Sequence, residues 1–200
     1  MELTSMQKDI LLEIGNIGVG NSINSLSKIM NELVDLRLPD LKIIEKDEFV
    51  NNYGISSIII NSKIIGDLSG NLSFIFSKEE ALKFIEIMTM VPIGSIKEIN
   101  SMGQSALIEL TNIICGSYLS AMSDFSQLEL LPKPPEIMKF TDNSRISEFI
   151  GDNKGIELNT EFKIFNESLS SKMVLMINEK YMNMIIEIAN EKLIEYSFKK

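Results

Sequence analysis

A four-residue polar pattern occurs twice in this chain, with the same internal gaps and an offset of 96 residues. Each copy is an acid or hydroxyl residue, three residues, Glu, two residues, Asn, 22 residues and Pro: Asp9, Glu13, Asn16 and Pro39, then Ser105, Glu109, Asn112 and Pro135. Four residues that keep their register over a fixed offset indicate an internal duplication. We therefore predict a duplicated unit that carries a duplicated polar site.

The duplication extends along most of the chain. When residues 75–77 are aligned with residues 176–178, the apolar helical positions 84–87 fall over 185–188, at an offset of 101. A chain of 200 residues with 44% hydrophobic content can bury one core, as one domain or as two fused halves. We favour a single domain, 1–200, made of two repeats at about 4–92 and 95–198.

Each half shows the order helix, strand, hairpin, helix. Thr4 and Gln7 are placed as a capping box for a first helix that continues to Asn31, and Ser95 and Glu98 are placed to open the equivalent helix of the second half. We therefore expect an α/β fold of the α+β type. It has a six-stranded, mainly antiparallel sheet and two long surface helices that carry the sites, related by a pseudo-twofold axis.

Charge and residue usage exclude several classes of function. Asp and Glu number 28 against 19 Lys and Arg, and the resulting net charge of −9 argues against nucleic-acid binding. The chain has no His, so the usual general base at neutral pH and the commonest zinc ligand are missing. Cys115 is the single cysteine, which we interpret as a buried apolar residue in preference to a reactive thiol.

The chain also lacks the sequence signals of export or membrane insertion. The first residues do not form a signal peptide, and no apolar run reaches the roughly 20 residues that a membrane-spanning helix needs. We expect a cytoplasmic protein.

The repeated polar residues fall on one face of a helix. At 100° per residue, Asp9, Glu13 and Asn16 lie within about 60° of one another, and their counterparts in the second half do the same. A single pair of this kind is most often an ordinary solvated surface, but its duplication favours function. The glycines in residues 15–20 resemble a phosphate loop only superficially, because the dinucleotide spacing and a Gly-Lys-Ser/Thr ending are missing.

The two motifs, together with the segments Glu-Ile-Gly-Asn-Ile-Gly at 13–18 and Leu-Leu-Pro-Lys-Pro-Pro at 130–135, resemble the CheC/CheX/FliY family of CheY-phosphate phosphatases. Two complete motifs in a chain this short are similar to the CheC type within that family. The resemblance implies a chemotaxis protein phosphatase that hydrolyses the aspartyl phosphate of the response regulator CheY. It covers almost the full length of the chain.

The resemblance also implies a role for each site residue. Asn16 and Asn112 would orient the attacking water, while Glu13 and Glu109 would pair with a lysine of the regulator. Asp9, Pro39, Ser105 and Pro135 would complete the motifs. The chain would need no metal or other cofactor of its own, because the regulator supplies the Mg²⁺ ion.

One alternative is an interaction module without catalysis, such as the related middle domain of the flagellar switch protein FliM, or an adaptor that binds the receptor deamidase CheD. The FliM-type domain lacks the Glu-Asn pairs, so their presence twice favours an enzyme. A mixed role, with CheD as a second partner, stays open. We expect a monomer, because the two halves pair internally.

Overall fold

The computed structural model describes residues 3–164 and 166–197, and within them it has six helices and eight strands. The helices are α1 (Ser5–Met30), α2 (Lys46–Asn52), α3 (Lys78–Met88), α4 (Ser101–Ser126), α5 (Asn143–Ile150) and α6 (Glu179–Ser197). The strands are β1 (Val34–Arg37), β2 (Leu41–Ile44), β3 (Ile58–Gly66), β4 (Gly70–Phe76), β5 (Leu130–Pro132), β6 (Glu136–Met138), β7 (Lys154–Ile164) and β8 (Glu167–Ile177).

All the strands belong to one antiparallel sheet, which confirms the predicted fold class. The count of six strands was wrong, because the single strand expected after each long helix is divided in two. Pro39 separates β1 from β2, and Pro135 separates β5 from β6. A proline has no N–H to donate to a sheet ladder, so the ladder is interrupted at both positions.

The strand pairing crosses between the two halves of the chain. Along the sheet the order is β1-β7-β8-β4-β3-β5, with β2 also on β7 and β6 also on β3. The short strands of the first half thus pair with the hairpin of the second, and those of the second half with the hairpin of the first. The division into one domain of two repeats stays a prediction, which this pairing supports. Residue 198, the last residue of the predicted second repeat, lies outside the described residues.

The sheet buries both of its faces. The larger core lies between the sheet and the helices α1, α3, α4 and α6, and it includes Leu72, Phe74 and Phe162. A smaller core on the opposite face joins Phe49 of α2 and Ile146 of α5 to side chains of the sheet. The two long helices therefore lie on the same face of the sheet, where their outer sides are available to solvent.

The two long helices begin differently from one another. Thr4 and Gln7 form the predicted capping box, and α1 is continuous from Ser5. The predicted start at Ser95 and Glu98 was wrong, since α4 begins at Ser101 with Asn100 accepting from the N–H of Gly103. The reason is Glu86, whose buried carboxylate binds the backbone N–H groups of Gly94 and Ile96 and holds the linker in a turn.

The close approach of α1 to α4 depends on Gly18. A Cβ at this position would lie 2.8 Å from Cα of Tyr118 and 3.1 Å from Cβ of Ala121. Cys115 is fully buried on the same helix, and burial raises the pKa of its thiol. Its interpretation as an apolar core residue agrees with this placement. No helix among the described residues is both long and apolar enough to cross a membrane.

Two glycines of α1 should respond oppositely to alanine. Gly18→Ala should destabilise the protein by about 1–3 kcal/mol, because the new methyl group meets the backbone of Tyr118. Gly20→Ala should stabilise it by up to about 1 kcal/mol, because nothing lies within 4 Å of the added Cβ and alanine favours the helix. Urea unfolding of both variants checks this pair, and equal free energies of unfolding would contradict the packing described here.

Candidate functional site

The structure places the predicted polar residues on the outer sides of the two long helices. On α1, Asp9 and Glu13 are exposed and Asn16 is half-buried. On α4, the three counterparts are all exposed: Ser105, Glu109 and Asn112. Each helix therefore presents a Glu and an Asn one turn apart, which is the arrangement the spacing predicts.

Buried apolar side chains fix the direction in which each stripe points. Ile10 and Ile14 flank Glu13 on α1 and are buried, as is Leu110 beside Glu109 on α4. Because these neighbours are anchored in the larger core, each helix cannot rotate without exposing them. The polar stripes are thus held outward by packing.

Asn16 is bound to the backbone of the segment that follows its own helix. Its Oδ1 accepts from the N–H of Leu38 at 2.7 Å, and its Nδ2 donates to the carbonyl oxygen of Leu38 at 3.0 Å. Nδ2 also donates to the carbonyl oxygen of Leu12 at 3.0 Å. Leu38 lies just beyond β1, so Asn16 satisfies backbone groups where the sheet ladder is interrupted.

Asn112 has a different environment. It is exposed, and within the described part of the chain its carboxamide makes no hydrogen bond. Ser105, at the start of the same stripe, donates to the carbonyl oxygen of Ser101 at 3.1 Å within the helix. The sequence pattern, which is the same in both halves, gave no sign of this difference between the two asparagines.

The two motif prolines lie between the paired short strands, with Pro39 exposed and Pro135 buried. Beside Pro39, Asp40 forms a 2.6 Å ion pair with Lys8 of α1. The hydrogen bond from Lys8 holds the pKa of the Asp40 carboxyl below its usual range. The proline segment of the first half is therefore tied to α1 at both Leu38 and Asp40.

A groove of about 280 Å³ opens beside the first stripe, between α1 and the C-terminal part of α4. Ile17 and Phe125 supply part of its apolar lining, and Glu13 and Asp124 add carboxylates. The side chain of Ile17 is 57% exposed in this position. The groove thus offers an apolar contact next to Glu13 for a partner that approaches the stripe.

Two exposed methionines were missed by the sequence reasoning. Met6 is 65% exposed and Met102 is 66% exposed, and each lies one turn before its polar stripe. The signal was available, since the two residues keep the same offset of 96 as the motif. The adaptable apolar contacts therefore flank the stripes themselves.

Within residues 3–164 and 166–197, no group of three or more acidic or cysteine side chains is placed to hold a metal ion. What the stripes offer chemically is a carboxamide with a carboxylate one turn away. A carboxamide can donate and accept a hydrogen bond at once without a charge, and a carboxylate can pair with a cation.

Comparison with known proteins finds related sequences. The model of the CheC-like family matches residues 6–43 and 102–138, the segments that contain the two motifs. CheY-P phosphatase CheC of Bacillus subtilis is 36% identical over 147 residues, covering 71% of this chain and 70% of that protein. The flagellar motor switch phosphatase FliY of the same organism is 23% identical over 166 residues, covering 82% of this chain and 44% of that protein.

The fold is also similar to solved structures. FliY of Thermotoga maritima superimposes with a TM-score of 0.78 at 18% identity, covering 96% of this chain and 100% of that chain. CheX in a CheX–CheY complex from Borrelia burgdorferi has a TM-score of 0.51 at 13% identity, covering 83% of this chain and 97% of that chain. The matched motifs and the identity to CheC lead to one assignment: the chain belongs to the CheC-like family.

Proposed function

We propose that this protein is a phosphatase that accelerates hydrolysis of the aspartyl phosphate of a CheY-type response regulator. The observation that carries the proposal is the outward presentation of a Glu and an Asn one turn apart on each of two anchored helices. The family supports it, because the relative with 36% identity is a CheY-P phosphatase.

The reaction suits a chain that has no His and whose single cysteine is buried. Water attacks the phosphorus in line, the bond from phosphorus to the aspartyl oxygen breaks, and the aspartate leaves as a carboxylate. The regulator's own carboxylates hold the Mg²⁺ ion that stabilises charge on the phosphoryl group. The phosphatase then has only to orient the water, which needs neither a nucleophile nor a metal of its own.

The asparagine carboxamide is suited to orienting that water. It can accept a hydrogen bond from the water through Oδ1, and it carries no charge. A carboxylate in the same place would repel the phosphoryl oxygens. Asn112 is exposed on α4, so it would enter the regulator's active site without a rearrangement of its own helix.

The glutamates would dock the regulator and set the position of each asparagine. Glu13 and Glu109 are exposed, and a carboxylate in a charge-assisted hydrogen bond to a lysine of the regulator fixes the helix one turn away from the asparagine. Met6, Met102 and Ile17 would add apolar contact area around these pairs. Both stripes belong to one chain, so a monomer is sufficient.

An interaction module without catalysis is the second candidate. The middle domain of FliM from Helicobacter pylori shares the fold, with a TM-score of 0.66 at 12% identity, so the fold alone does not decide the matter. The exposed Glu109 and Asn112 favour catalysis, because such a pair serves no structural purpose that the hydrogen bonds reveal. A second partner, CheD, is compatible with the proposal, and the described residues suggest no particular surface for it.

Removal of both carboxamides should abolish the acceleration. We expect phosphate release from a phosphorylated CheY with Mg²⁺ to fall to the regulator's own rate in the Asn16→Ala, Asn112→Ala double variant, because loss of a positioned group typically costs about 100-fold or more. As a control, the unaltered protein alone should release no phosphate from a chromogenic phosphoester. Full activity of a folded double variant, or robust turnover of the free phosphoester, would contradict the proposal.

Charge reversal of the glutamates should separate docking from folding. Glu13→Lys with Glu109→Lys should weaken binding to a regulator that carries a phosphate mimic, because each new ammonium faces the regulator's lysine. The free energy of unfolding should change by no more than about 0.5 kcal/mol per site, since both carboxylates are exposed. Binding titrations and urea unfolding check the two effects, with Glu32→Lys as a matched control. If the Glu13→Lys, Glu109→Lys variant unfolds while the control stays folded, the two glutamates are structural.

A further inference from the structure

The residue before each motif proline differs between the two halves. The first half has Leu38 at this position and the second half has Pro134. Leu38 binds the carboxamide of Asn16 through both its N–H and its carbonyl oxygen. A proline has no N–H, so Pro134 cannot donate the bond that Leu38 donates at 2.7 Å.

The packing around this residue also differs between the two halves. Leu38 is only 2% exposed, and a Cβ on Gly15 would lie 2.7 Å from its Cδ1, so the missing side chain on α1 makes room for Leu38. The equivalent helix position in the second half is Thr111, a residue with a fully buried side chain, and Pro134 is exposed. The short strands of both halves contact their long helices, so the difference lies at the residue before the proline.

We infer that Leu38 holds Asn16 in a closed position in the free protein and that Pro134 leaves Asn112 open, so the second site is the more active one. Leu38 and Pro134 act as positioning residues, because each works through its asparagine. This inference rests on the proposed function, but the closed position of Asn16 is a property of the free protein alone.

The closed position of Asn16 should slow hydrolysis at the first site by an amount that its hydrogen bonds set. To orient a water in the partner's active site, Asn16 must leave Leu38 and break both hydrogen bonds to it. Bonds of this kind shift an equilibrium about 5- to 30-fold when one or two are lost. Glu13 is exposed while Asn16 is bound to Leu38. The first site can therefore dock a regulator as the second does, but its asparagine is mostly unable to reach the water.

Thermal unfolding tests the closed position without any assay of activity. Asn16→Ala should lower the Tm by roughly 2–10 °C, because it leaves the N–H and the carbonyl of Leu38 without their partner. Asn112→Ala should change the Tm by less than about 2 °C, since no hydrogen bond is lost. The side-chain amide protons of Asn16 should also exchange with solvent more slowly than those of Asn112. Equal Tm changes and equal exchange would overturn the inference.

Single-site variants test the consequence for turnover. At saturating phosphorylated regulator, Asn112→Ala, which retains only the held asparagine, should be about 5- to 30-fold slower than Asn16→Ala, which retains only the free one. Equal rates, or the opposite order, would overturn the inference while leaving the proposed function intact. If the unaltered protein does not accelerate dephosphorylation at all, the proposed function fails, and the Tm and exchange comparison still decides whether Asn16 is closed.

A substitution in the second half tests the inference even if Asn16→Ala folds poorly. Pro134→Ala supplies an N–H at an exposed position, so it should lower the maximal rate severalfold and leave the regulator concentration at half-saturation nearly constant, because Glu109 is untouched. The matched control is Lys133→Ala, an exposed neighbour whose N–H donates to the carbonyl oxygen of Lys63 at 2.8 Å in any case. Equal maximal rates in the two variants would show that the N–H does not control Asn112.

Discussion

The packing of α1 against α4 is the contact on which both candidate sites depend. The two helices meet where Gly18 allows the backbone of Tyr118 to approach, with a would-be Cβ only 2.8 Å from the Tyr118 Cα. Because buried side chains such as Ile14 and Leu110 fix the rotation of each helix, the Glu-Asn pairs point outward on the same side of the sheet. A site built on two anchored helices is held more exactly in place than one built on loops.

The prolines connect the fold to the site. They interrupt the sheet ladder after each long helix, and an interrupted ladder leaves backbone groups that need partners. In the first half Asn16 is that partner, through Leu38. In the second half Pro134 has no N–H to satisfy, and Lys133 pairs with the sheet instead. The asparagine of the motif can thus bind the backbone in one copy and remain available to a partner in the other.

Much of this could be predicted from the sequence, because the duplication repeats both the motif and the helix periodicity. The two long helices, the antiparallel hairpins and the placement of the stripes follow from local patterns. The division of each short strand depends on ladder pairing across the two halves, and the start of α4 depends on the buried carboxylate of Glu86. Contacts of this kind join residues that no local pattern relates. The difference between Asn16 and Asn112 also needed the structure, although its cause, Leu38 against Pro134, is visible in the sequence once the contact is known.

Under the proposed function, the outer sides of α1 and α4 receive the phosphorylated regulator. The most direct test is a backbone-amide NMR titration of this protein with a CheY loaded with Mg²⁺ and beryllofluoride, a mimic of the phosphoryl group. We expect shift changes centred on both stripes, residues 9–17 and 105–113, and none on α2 and α5 across the sheet. Changes confined to α2 and α5, with the two stripes unaffected, would contradict this expectation.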